Sequence, residues 1–217
     1  VASYNTPSIS ATLGSNMPTT GLAGVSVVGA GMGGAHSHSP VVRIGGSSAQ
    51  LSACVWVSDS GVVVAAAPAG VGGTRRVAAS VAGQAGSTTT ATSYDAPTVS
   101  SVHADNSPST GAVVVSLAGS SLGSYESSPQ VRVQASLCWG SEWNSDSSVA
   151  CGVREGVGAG NRVSVSVGCH VSTVSGAVSY DSPVLSSSAT LNTPTTGMVP
   201  VTATGSQIGM ASHSQTT

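Results

Sequence analysis

Three glycines near the amino-terminal end have the spacing of a dinucleotide-binding loop. Gly29, Gly31 and Gly34 form a G-x-G-x-x-G pattern directly after the apolar stretch VSVV. Such a loop binds a pyrophosphate only if a helix follows it, and an acid about 20 residues later holds the ribose. Here Pro40 follows without any helical apolar period, and the first acid is Asp59. The sequence therefore predicts that these glycines serve the backbone, and no cofactor is expected.

The other residues that could do chemistry are histidines and acids, and none of them completes a site. His36 and His38 could place two imidazoles on one side of a strand and bind zinc, but no third ligand stands nearby. Asp59 and Asp146 lie in matched Ser-Asp-Ser turns, where a carboxylate ordinarily bonds to the backbone. A Ser-His-Asp triad could be drawn from the many serines and few histidines, but we expect no nucleophile elbow such as G-x-S-x-G to support it. We therefore predict no enzyme and no metal site.

Composition predicts a β-rich chain with a weakly charged surface. The 217 residues carry a net charge of −2, and only 6% are charged and 3% aromatic. Abundant valine, alanine and glycine are typical of short strands joined by tight turns. The six basic residues are scattered and form no patch for nucleic acid. No apolar run reaches the ~18 residues of a membrane-spanning helix. We expect either self-association or a hydrophilic coat.

An internal repeat organises the chain. The segment SYNTPSISATLGSNMPTTG at 3–21 returns in altered form at 93–111 and at 179–197. The period of 86 to 90 residues is about that of an immunoglobulin-like sandwich. Apolar and polar residues alternate within each repeat, as in VSVSV at 163–167, which indicates half-buried antiparallel strands. We therefore predict an all-β chain of tandem sandwiches.

The repeats divide the chain into complete and partial domains. Residues 6–95 and 96–181 are the complete domains, and 182–217 matches only the first strands of a third. The outer pair that recurs is Gly29 and Gly33, which return as Gly119 and Gly123 and as Gly205 and Gly209. The middle glycine, Gly31, becomes Ser121 and then Gln207. The middle glycine is therefore predicted to be dispensable, and the outer pair to mark a strand and its turn.

These motifs resemble those of IPT/TIG repeats. The chain combines Tyr-Asp-x-Pro, x-Pro-x-Thr-Gly, Val-Arg-Val and Trp-x-Ser-Asp-x-Ser-Val-x-Cys, followed by Gly-Val-Gly. IPT/TIG repeats are immunoglobulin-like domains of plexins, Rel-type transcription factors and many extracellular proteins. The tandem repeats here are most similar to those of large secreted or flagellar-surface proteins of green algae and other protists. The resemblance implies tandem immunoglobulin-like β-sandwiches at an extracellular or cell-surface location.

The same resemblance implies one disulfide, between Cys138 and Cys151 of the second repeat. A bond of this span would stabilise a small β domain whose core has few aromatic residues. The first repeat departs from the family pattern because Val64 stands where the second cysteine is expected. Cys54 and Cys169 have no partner within their own repeats, so they could bridge domains or subunits or remain free.

The aromatic residues are predicted to be structural. Tyr4, Tyr94 and Tyr180 each end a repeat, and we expect them to pack at domain junctions, where a following Asn or Asp caps a turn before proline. Trp56 and Trp143 are expected in or near the core, as in the family. No aromatic platform for a ligand is indicated.

Hydroxyl-rich turns make O-linked glycans the expected hydrophilic coat. The chain has no Asn-x-Ser/Thr acceptor for N-linked glycans. Proline stands beside Ser or Thr in MPTTG, SPSTG and TPTTG, in turns that we expect to be exposed. In the algal surface proteins that these repeats resemble, such sites are often hydroxylated and glycosylated. The candidate O-glycosylation residues are Pro18, Thr19, Thr20, Pro108, Ser109, Thr110, Pro194, Thr195 and Thr196.

The phase of the repeats predicts head-to-tail assembly. Residues 182–217 supply strands whose apolar face needs a partner, and residues 1–5 match the closing strand of a preceding repeat. The closing strand of one subunit could therefore complete the open sandwich of the next. Contacts that do not close into a ring generate an open filament. The predicted joining residues are Val1, Ala2, Ser3, Tyr4, Asn5, Val199, Val201 and Ala203.

The sequence thus predicts an extracellular structural protein, a homopolymeric filament or surface fibre that carries O-linked glycans. It predicts no nucleic-acid partner and no membrane insertion. Two alternatives remain open at this point. The chain could be an adhesive cell-surface ectodomain that binds a protein or carbohydrate through its loops, or the repeats could simply continue in a longer chain.

Overall fold

The computed structural model of the protein is built from β-strands. It describes residues 4–14, 16–34, 39–48, 54–103, 106–124, 127–189 and 192–209. These ranges contain no α-helix, and hence no helix with the length and apolar character needed to cross a membrane. The prediction of an all-β fold is confirmed.

The first repeat is a sandwich of two sheets. Its strands are β1 (Ser8–Leu13), β2 (Asn16–Met17), β3 (Val25–Ala30), β4 (Val41–Ile44), β5 (Ser47–Ser48), β6 (Cys54–Ser58), β7 (Gly61–Val64), β8 (Arg75–Val81) and β9 (Gln84–Tyr94). One sheet has the order β1-β3-β7-β6, and the other has the order β2-β9-β8-β4-β5. Neighbouring strands are antiparallel except β2 and β9, which run parallel.

The second repeat has the same two-sheet architecture. Its strands are β10 (Thr98–His103), β11 (Val114–Ser120), β12 (Gln130–Val133), β13 (Ser136–Leu137), β14 (Trp139–Ser145), β15 (Ser148–Gly152), β16 (Asn161–Val167) and β17 (His170–Val178). The sheets have the orders β10-β11-β15-β14 and β13-β12-β16-β17. An isolated parallel bridge between Ser107 and Tyr180 takes the place of the β2–β9 pairing.

Valine fills the core of both sandwiches. In β3, Val25 and Val27 are fully buried, whereas Ser26 between them is only partly covered. Val163 and Val165 of β16 are buried in the same way in the second repeat. Each repeat has its own cluster of buried residues, so the alternation seen in the sequence gives each sheet one core-facing side.

The first glycine of the opening motif allows two strands to approach closely. A Cβ at Gly29 would lie 1.8 Å from the carbonyl oxygen of Ser8, which belongs to the neighbouring strand β1. The matched Gly119 and Gly205 would each place a Cβ 2.0 Å from a carbonyl oxygen of the neighbouring strand. The pairing register shifts beside this contact in all three copies. The glycine is thus required by the backbone, as the sequence predicted.

The third repeat contributes a two-stranded hairpin, β18 (Val184–Ser188) and β19 (Ala203–Ser206). The sequence predicted Val199, Val201 and Ala203 on one strand, and the described strand begins only at Ala203. The reason is the missing neighbour. In the first repeat Val25, which matches Val201, pairs with a residue of β7, and the described part of the third repeat supplies no strand in that position.

Candidate functional site: the junctions between repeats

A buried hydroxyl joins the first repeat to the second. Residues Pro18–Gly21 form a tight turn in which the Gly21 N–H donates to the Pro18 carbonyl at 2.9 Å. Thr19 lies in this turn and is only 1% exposed. Its Oγ1 donates to Oδ1 of Asp146, which stands in the turn between β14 and β15. The turn of one repeat therefore inserts against a carboxylate of the next.

The carboxylate of Asp146 is held in place by backbone amides of its own repeat. The N–H of Ser121 donates to one carboxylate oxygen at 3.3 Å, and the N–H of Gly123 donates to the other at 3.2 Å. The Leu122 N–H donates to the Asp146 carbonyl at 2.8 Å. These bonds match the predicted role of this aspartate in bonding to the backbone, and they fix the acceptor that receives Thr19.

A loop of the first repeat packs beside this contact. Val71 lies against the core cluster of the second repeat. Two residues later, the Gly73 N–H donates to Sγ of Cys169 at 3.0 Å. The loop is anchored from its own side by Arg75, whose Nε donates to the Val71 carbonyl at 2.9 Å. The junction therefore combines one apolar contact with several hydrogen bonds.

The terminal tyrosines of the two complete repeats are buried. Tyr94 is 4% exposed and Tyr180 is 7% exposed, whereas the matched Tyr4 is 89% exposed. The Tyr94 hydroxyl donates to the Pro68 carbonyl at 2.9 Å, and the Tyr180 hydroxyl donates to the Arg154 carbonyl at 2.9 Å. Each ring thus closes its own repeat, and Tyr4 is the one copy without such cover among the described residues.

Burial also changes the acidity of these two phenols. Burial raises the pKa of Tyr94 above its ordinary value, and the positive charge of Arg75 offsets part of that effect. Burial likewise raises the pKa of Tyr180, and the nearby negative charge of Glu155 raises it further. Both hydroxyls therefore remain protonated donors at neutral pH.

An amide–carboxylate pair accompanies each closing strand. Nδ2 of Asn16 donates to Oδ1 of Asp95 at 2.5 Å, beside the parallel pairing of β2 with β9. In the second repeat, Nδ2 of Asn106 donates to Oδ1 of Asp181 at 2.6 Å. In each complete repeat, an asparagine near the start thus binds the aspartate that directly follows the terminal tyrosine. These contacts recur with the same chemistry at both junctions.

The second repeat is joined to the third by a different acceptor. The backbone N–H and Oγ of Ser109 donate to Oε1 of Gln207 at 2.8 and 2.9 Å. Gln207 occupies the middle-glycine position of the opening motif, where φ is 58°, compared with 73° at Gly31 and 56° at Ser121. The position adopts a left-handed backbone in all copies, and the third copy adds an acceptor that sequence reasoning did not detect.

The hydroxyls proposed for glycosylation differ in accessibility. Thr19 and Ser109 are 1% and 3% exposed, and both oxygens donate hydrogen bonds across a junction. These two positions leave no room for a sugar, because the next repeat covers them. In each of the three turns, the residue after this position carries an exposed hydroxyl. In the third repeat, Thr195 at the position of Thr19 is exposed as well. The exposed hydroxyl-bearing candidates are Thr20, Thr110, Thr195 and Thr196.

The second repeat contains the disulfide that the family resemblance implied. Cys138 and Cys151 are bonded, and their Cα atoms are 5.8 Å apart. In the first repeat, Val64 is fully buried at the position matching Cys151. Cys54 and Cys169 are free thiols, the first partly buried and the second exposed.

The remaining candidate residues form no reactive site in the described part of the chain. His36 and His38 lie outside the described residues. The carboxylate of Asp59 accepts from the N–H groups of Gly31 at 3.4 Å and Gly33 at 3.2 Å, so it bonds to the backbone as predicted. Within the described ranges, no group of three or more His, Cys, Asp or Glu side chains could hold a metal ion.

The expectation that the chain has no G-x-S-x-G spacing is wrong. Residues 119–123 read G-S-S-L-G, which has the G-x-S-x-G spacing of a nucleophile elbow. That elbow needs a helix directly after the serine, and here the chain continues without one. The N–H of Ser121 instead donates to Asp146. The two glycines of the pattern are therefore Gly119 of strand β11 and Gly123 of the loop that follows it.

Two of the three tryptophans, Trp56 and Trp143, each tie a strand to the loop after the glycine motif. Trp56 is partly buried and its Nε1 donates to the Gly33 carbonyl at 3.0 Å. Trp143 is also partly buried and its Nε1 donates to the Gly123 carbonyl at 2.9 Å. Their predicted position near the core agrees with this arrangement.

The predicted joining residues lie at opposite ends of the described chain. Val1, Ala2 and Ser3 fall outside the described residues. Tyr4 and Asn5 are exposed, and the Tyr4 carbonyl accepts from Nε2 of Gln84 at 3.1 Å. The joining residues of the third repeat are also exposed, namely Val199, Val201 and Ala203.

Comparison with solved structures finds multidomain chains of which parts are similar to this one. A surface glycan-binding protein from Prevotella bryantii matches at a TM-score of 0.51 and 11% identity, over 80% of this chain and 42% of that one. The full extracellular region of plexin A4 matches at a TM-score of 0.40 and 18% identity, over 82% of this chain and 18% of that one. A titin Ig tandem matches at a TM-score of 0.37 and 12% identity, over 83% of this chain and 99% of that one.

These similarities concern the fold, because the identities are low. The chain spans less than half of the plexin and glycan-binding chains that it matches. A comparison with curated protein sequences gives no match. The IPT/TIG domain family, in contrast, matches residues 7–94 and 97–181, which together make up most of the sequence. Because this match covers far more than half of the chain and both sandwiches, the chain belongs to the IPT/TIG domain family.

Proposed function

We propose that the protein is an extracellular structural protein that assembles head to tail into a filament or surface fibre. The observation that carries this proposal is the contrast between the tyrosines. Tyr94 and Tyr180 are buried at the ends of their repeats, whereas Tyr4 is 89% exposed. Exposing a large aromatic ring is costly when a matching site could cover it. Tyr4 and the closing segment therefore present a surface that a partner can cover.

The third repeat offers the complementary surface. Val201 is 55% exposed, although the matched Val25 and Val115 are fully buried. Ile208 is 36% exposed, although the matched Leu122 is fully buried. No second sheet covers this hairpin in the described part of the chain, and a hairpin alone is marginally stable in water. The exposed large apolar residues are Val184, Leu185, Met198, Val199, Val201 and Ile208.

The contacts inside the molecule supply the geometry for joining these two surfaces. Tyr94 lies in the same core cluster as Val25, and Val201 matches Val25. Tyr4 of one copy can cover Val201 of another in the same relation. The asparagine near the start of the third repeat is Asn192, which is exposed. It can hydrogen-bond to Asn5 of another copy, as Asn16 hydrogen-bonds to Asp95 within the chain. The closing segment of one copy thus completes the open repeat of the next.

The remaining parts of the proposal concern the surface and the location. A disulfide is typical of proteins in oxidising compartments, which favours an extracellular or cell-surface protein. The weakly charged exterior favours O-linked glycans, and the exposed second hydroxyls Thr20, Thr110 and Thr196 are the proposed sites. Intact mass above the 20.9 kDa of the bare chain would establish such a coat. Attachment to a flagellar surface and a green-algal or protist origin stay predictions.

Deletion of residues 1–5 tests the assembly. Negative-stain microscopy should show filaments of regular axial repeat with the 217-residue chain, and few or none with the deleted chain. Tyr4→Ala should have the same effect, while the control Val171→Ala should not, because Val171 is 62% exposed but belongs to neither joining surface. Normal filament yield from the deleted chain would show that this segment joins no subunits.

A second candidate function is an adhesive ectodomain that binds carbohydrate. Trp139 is 46% exposed, and its ring lies over Gly152. Its neighbours in the chain, Cys138 and Gly140, line an open depression of about 810 Å³ together with Glu142 and Trp143. An exposed indole beside polar side chains can stack on a sugar ring. Isolated rods in the microscope, together with retention on a glycan array that Trp139→Ala abolishes, would favour this function over filament formation.

A further inference from the structure

Each complete repeat has a matched binding surface around an aspartate. In the second repeat this surface is occupied by the first repeat, whereas in the first repeat it is open among the described residues. We define the Asp59 socket by Asp59, Gly31, Gly33, Val81 and Ala82. Gly31 and Gly33 donate backbone N–H groups to the carboxylate of Asp59 at 3.4 and 3.2 Å. The matched amides of the second repeat donate to Asp146 at 3.3 and 3.2 Å. The two carboxylates therefore have the same support and the same orientation relative to their sheets.

In the second repeat this socket is filled by the repeat before it. Thr19 donates its hydroxyl to Asp146, and Val71 packs beside Gly168, which matches Ala82. In the first repeat the same place is a cavity of about 600 Å³ that Asp59, Val81 and Ala82 help to line. No described residue donates a side-chain hydroxyl to Asp59 across it. The socket is therefore open to a hydroxyl donor from another repeat.

The third repeat carries the part that fits such a socket. Residues Pro194–Gly197 form the same turn as the first two repeats, with the Gly197 N–H donating to the Pro194 carbonyl at 3.0 Å. Thr195 occupies the position of Thr19 and Ser109. Those two hydroxyls are buried against the following repeat, whereas Thr195 is exposed. Among the described residues, Thr195 is therefore an exposed hydroxyl in a donor turn, and Asp59 accepts only from backbone amides of its own repeat.

We propose that the Pro194–Gly197 turn of one copy docks into the Asp59 socket of a second copy. In this contact, Oγ1 of Thr195 donates to the carboxylate of Asp59, as Thr19 donates to Asp146 within one chain. The inference rests on the proposed head-to-tail assembly and names the surface that sets its geometry. A hydroxyl facing a carboxylate forms a charge-assisted bond, so the docking selects a hydroxyl donor and rejects an acid.

The socket adjoins the closing segment, which is why a second copy is the occupant. Tyr4 and Asn5 line the same cavity as Asp59. At the first junction, Asn16 binds the residue after the closing strand, and Thr19, three positions later, binds Asp146. Asn192 and Thr195 have the same separation. One partner can therefore engage the closing segment and the socket together, without any change in the spacing of its residues.

A charge placed at Thr195 tests the docking. Thr195→Asp sets a carboxylate against Asp59, and like charges brought together should weaken association of the 217-residue chain at least about tenfold in sedimentation velocity. Thr196→Asp is the matched control, with the same charge on the next exposed residue and unchanged association expected. Both positions are exposed, so neither change should impair folding, which circular dichroism verifies.

A second substitution identifies the acceptor. Asp59→Ala frees the N–H groups of Gly31 and Gly33, which can then donate to the carboxylate introduced by Thr195→Asp. The double variant has no repulsion between like charges, so combining the two substitutions should restore association. Failure to restore, or equal association of the Thr195→Asp and Thr196→Asp chains, overturns the docking.

The results also separate this inference from the proposed function. Filaments that are insensitive to Thr195→Asp refute the Asp59 socket and leave the filament proposal standing. Short end-to-end oligomers that are sensitive to Thr195→Asp, without filaments, support the socket and refute the filament. A chain that stays monomeric at every concentration refutes both.

Discussion

The two complete repeats place different side chains at the same buried position. Val64 in the first and Cys151 in the second are both fully buried, each on the strand that pairs with the strand of the opening motif. Cys151 is bonded to Cys138, whereas Val64 is held only by packing. The sheet orders of the two repeats nevertheless agree. The comparison teaches that valine packing suffices for the architecture and that the disulfide is an addition to it.

The repeats also differ in what their matched aspartates contact. Asp146 receives Thr19 of the preceding repeat, whereas Asp59 bonds only to amides of its own repeat among the described residues. The difference comes from position along the chain, since the local backbone geometry is the same. What distinguishes the repeats is therefore their neighbours at this site and one covalent bond in the core.

The largest expected effect tests whether both repeats depend equally on the strand glycine. Gly29→Ala and Gly119→Ala would force a Cβ to within 1.8 and 2.0 Å of a carbonyl oxygen. Each should destabilise its own repeat by about 3 kcal/mol or more. Hydrogen exchange of peptides from each repeat measures the loss separately. Gly34→Ala is the control, because nothing lies within 4 Å of the added Cβ. A mild loss in the second repeat alone would mean that its disulfide compensates for backbone strain.

The next effect concerns the disulfide itself. The double substitution Cys138→Ala with Cys151→Val removes the cross-link and places valine where the first repeat has Val64. A loop of this length gives about 3 kcal/mol of stability to the second repeat. Denaturant unfolding should show this loss in the free energy of unfolding of the second repeat and no change in the first. Cys54→Ser is the control, and it should leave the stability of the second repeat unchanged. An unchanged second repeat would show that valine packing fully replaces the bond.

The junction hydroxyls should have smaller effects that differ from each other. Thr19→Val removes a bond to a carboxylate and should cost about 2 kcal/mol, whereas Ser109→Ala removes a bond to a neutral amide and should cost about 1 kcal/mol. Thermal unfolding measures both, and the exposed neighbour Thr20→Val is the control. Equal losses would mean that the charge of Asp146 adds nothing to the contact.

The smallest effect is a dependence of stability on alkaline pH. Burial raises the pKa of Tyr94 and Tyr180 above the ordinary value of 10.0, so between the two values the folded state holds protons that the unfolded state has lost. The free energy of unfolding should therefore fall as the pH rises above about 10. Tyr94→Phe or Tyr180→Phe should lose about 1 kcal/mol at pH 7 and show a weaker fall in urea titrations at alkaline pH. A parallel fall in the variants would locate the titrating group elsewhere.

Much of the fold could be predicted from the sequence because its determinants are local. Alternation of valine with serine gives each strand one buried face, and the repeated motifs set the period of the sandwiches. The close approach at Gly29 was predicted as a backbone role for the same reason. The cysteine pair followed from the family pattern, since spacing alone leaves several pairings open.

The interfaces between repeats could not be predicted in this way. Thr19 and Thr20 are adjacent and chemically identical, yet one is buried at a junction and the other is exposed. Gln207 looked like a neutral replacement for glycine, and it accepts two hydrogen bonds from Ser109. The sequence by itself determined the strands, the repeats and the backbone glycines, because these depend on neighbouring residues. Only the tertiary structure decided which hydroxyls are covered, because that depends on how a separate repeat, distant in the chain, packs against each turn.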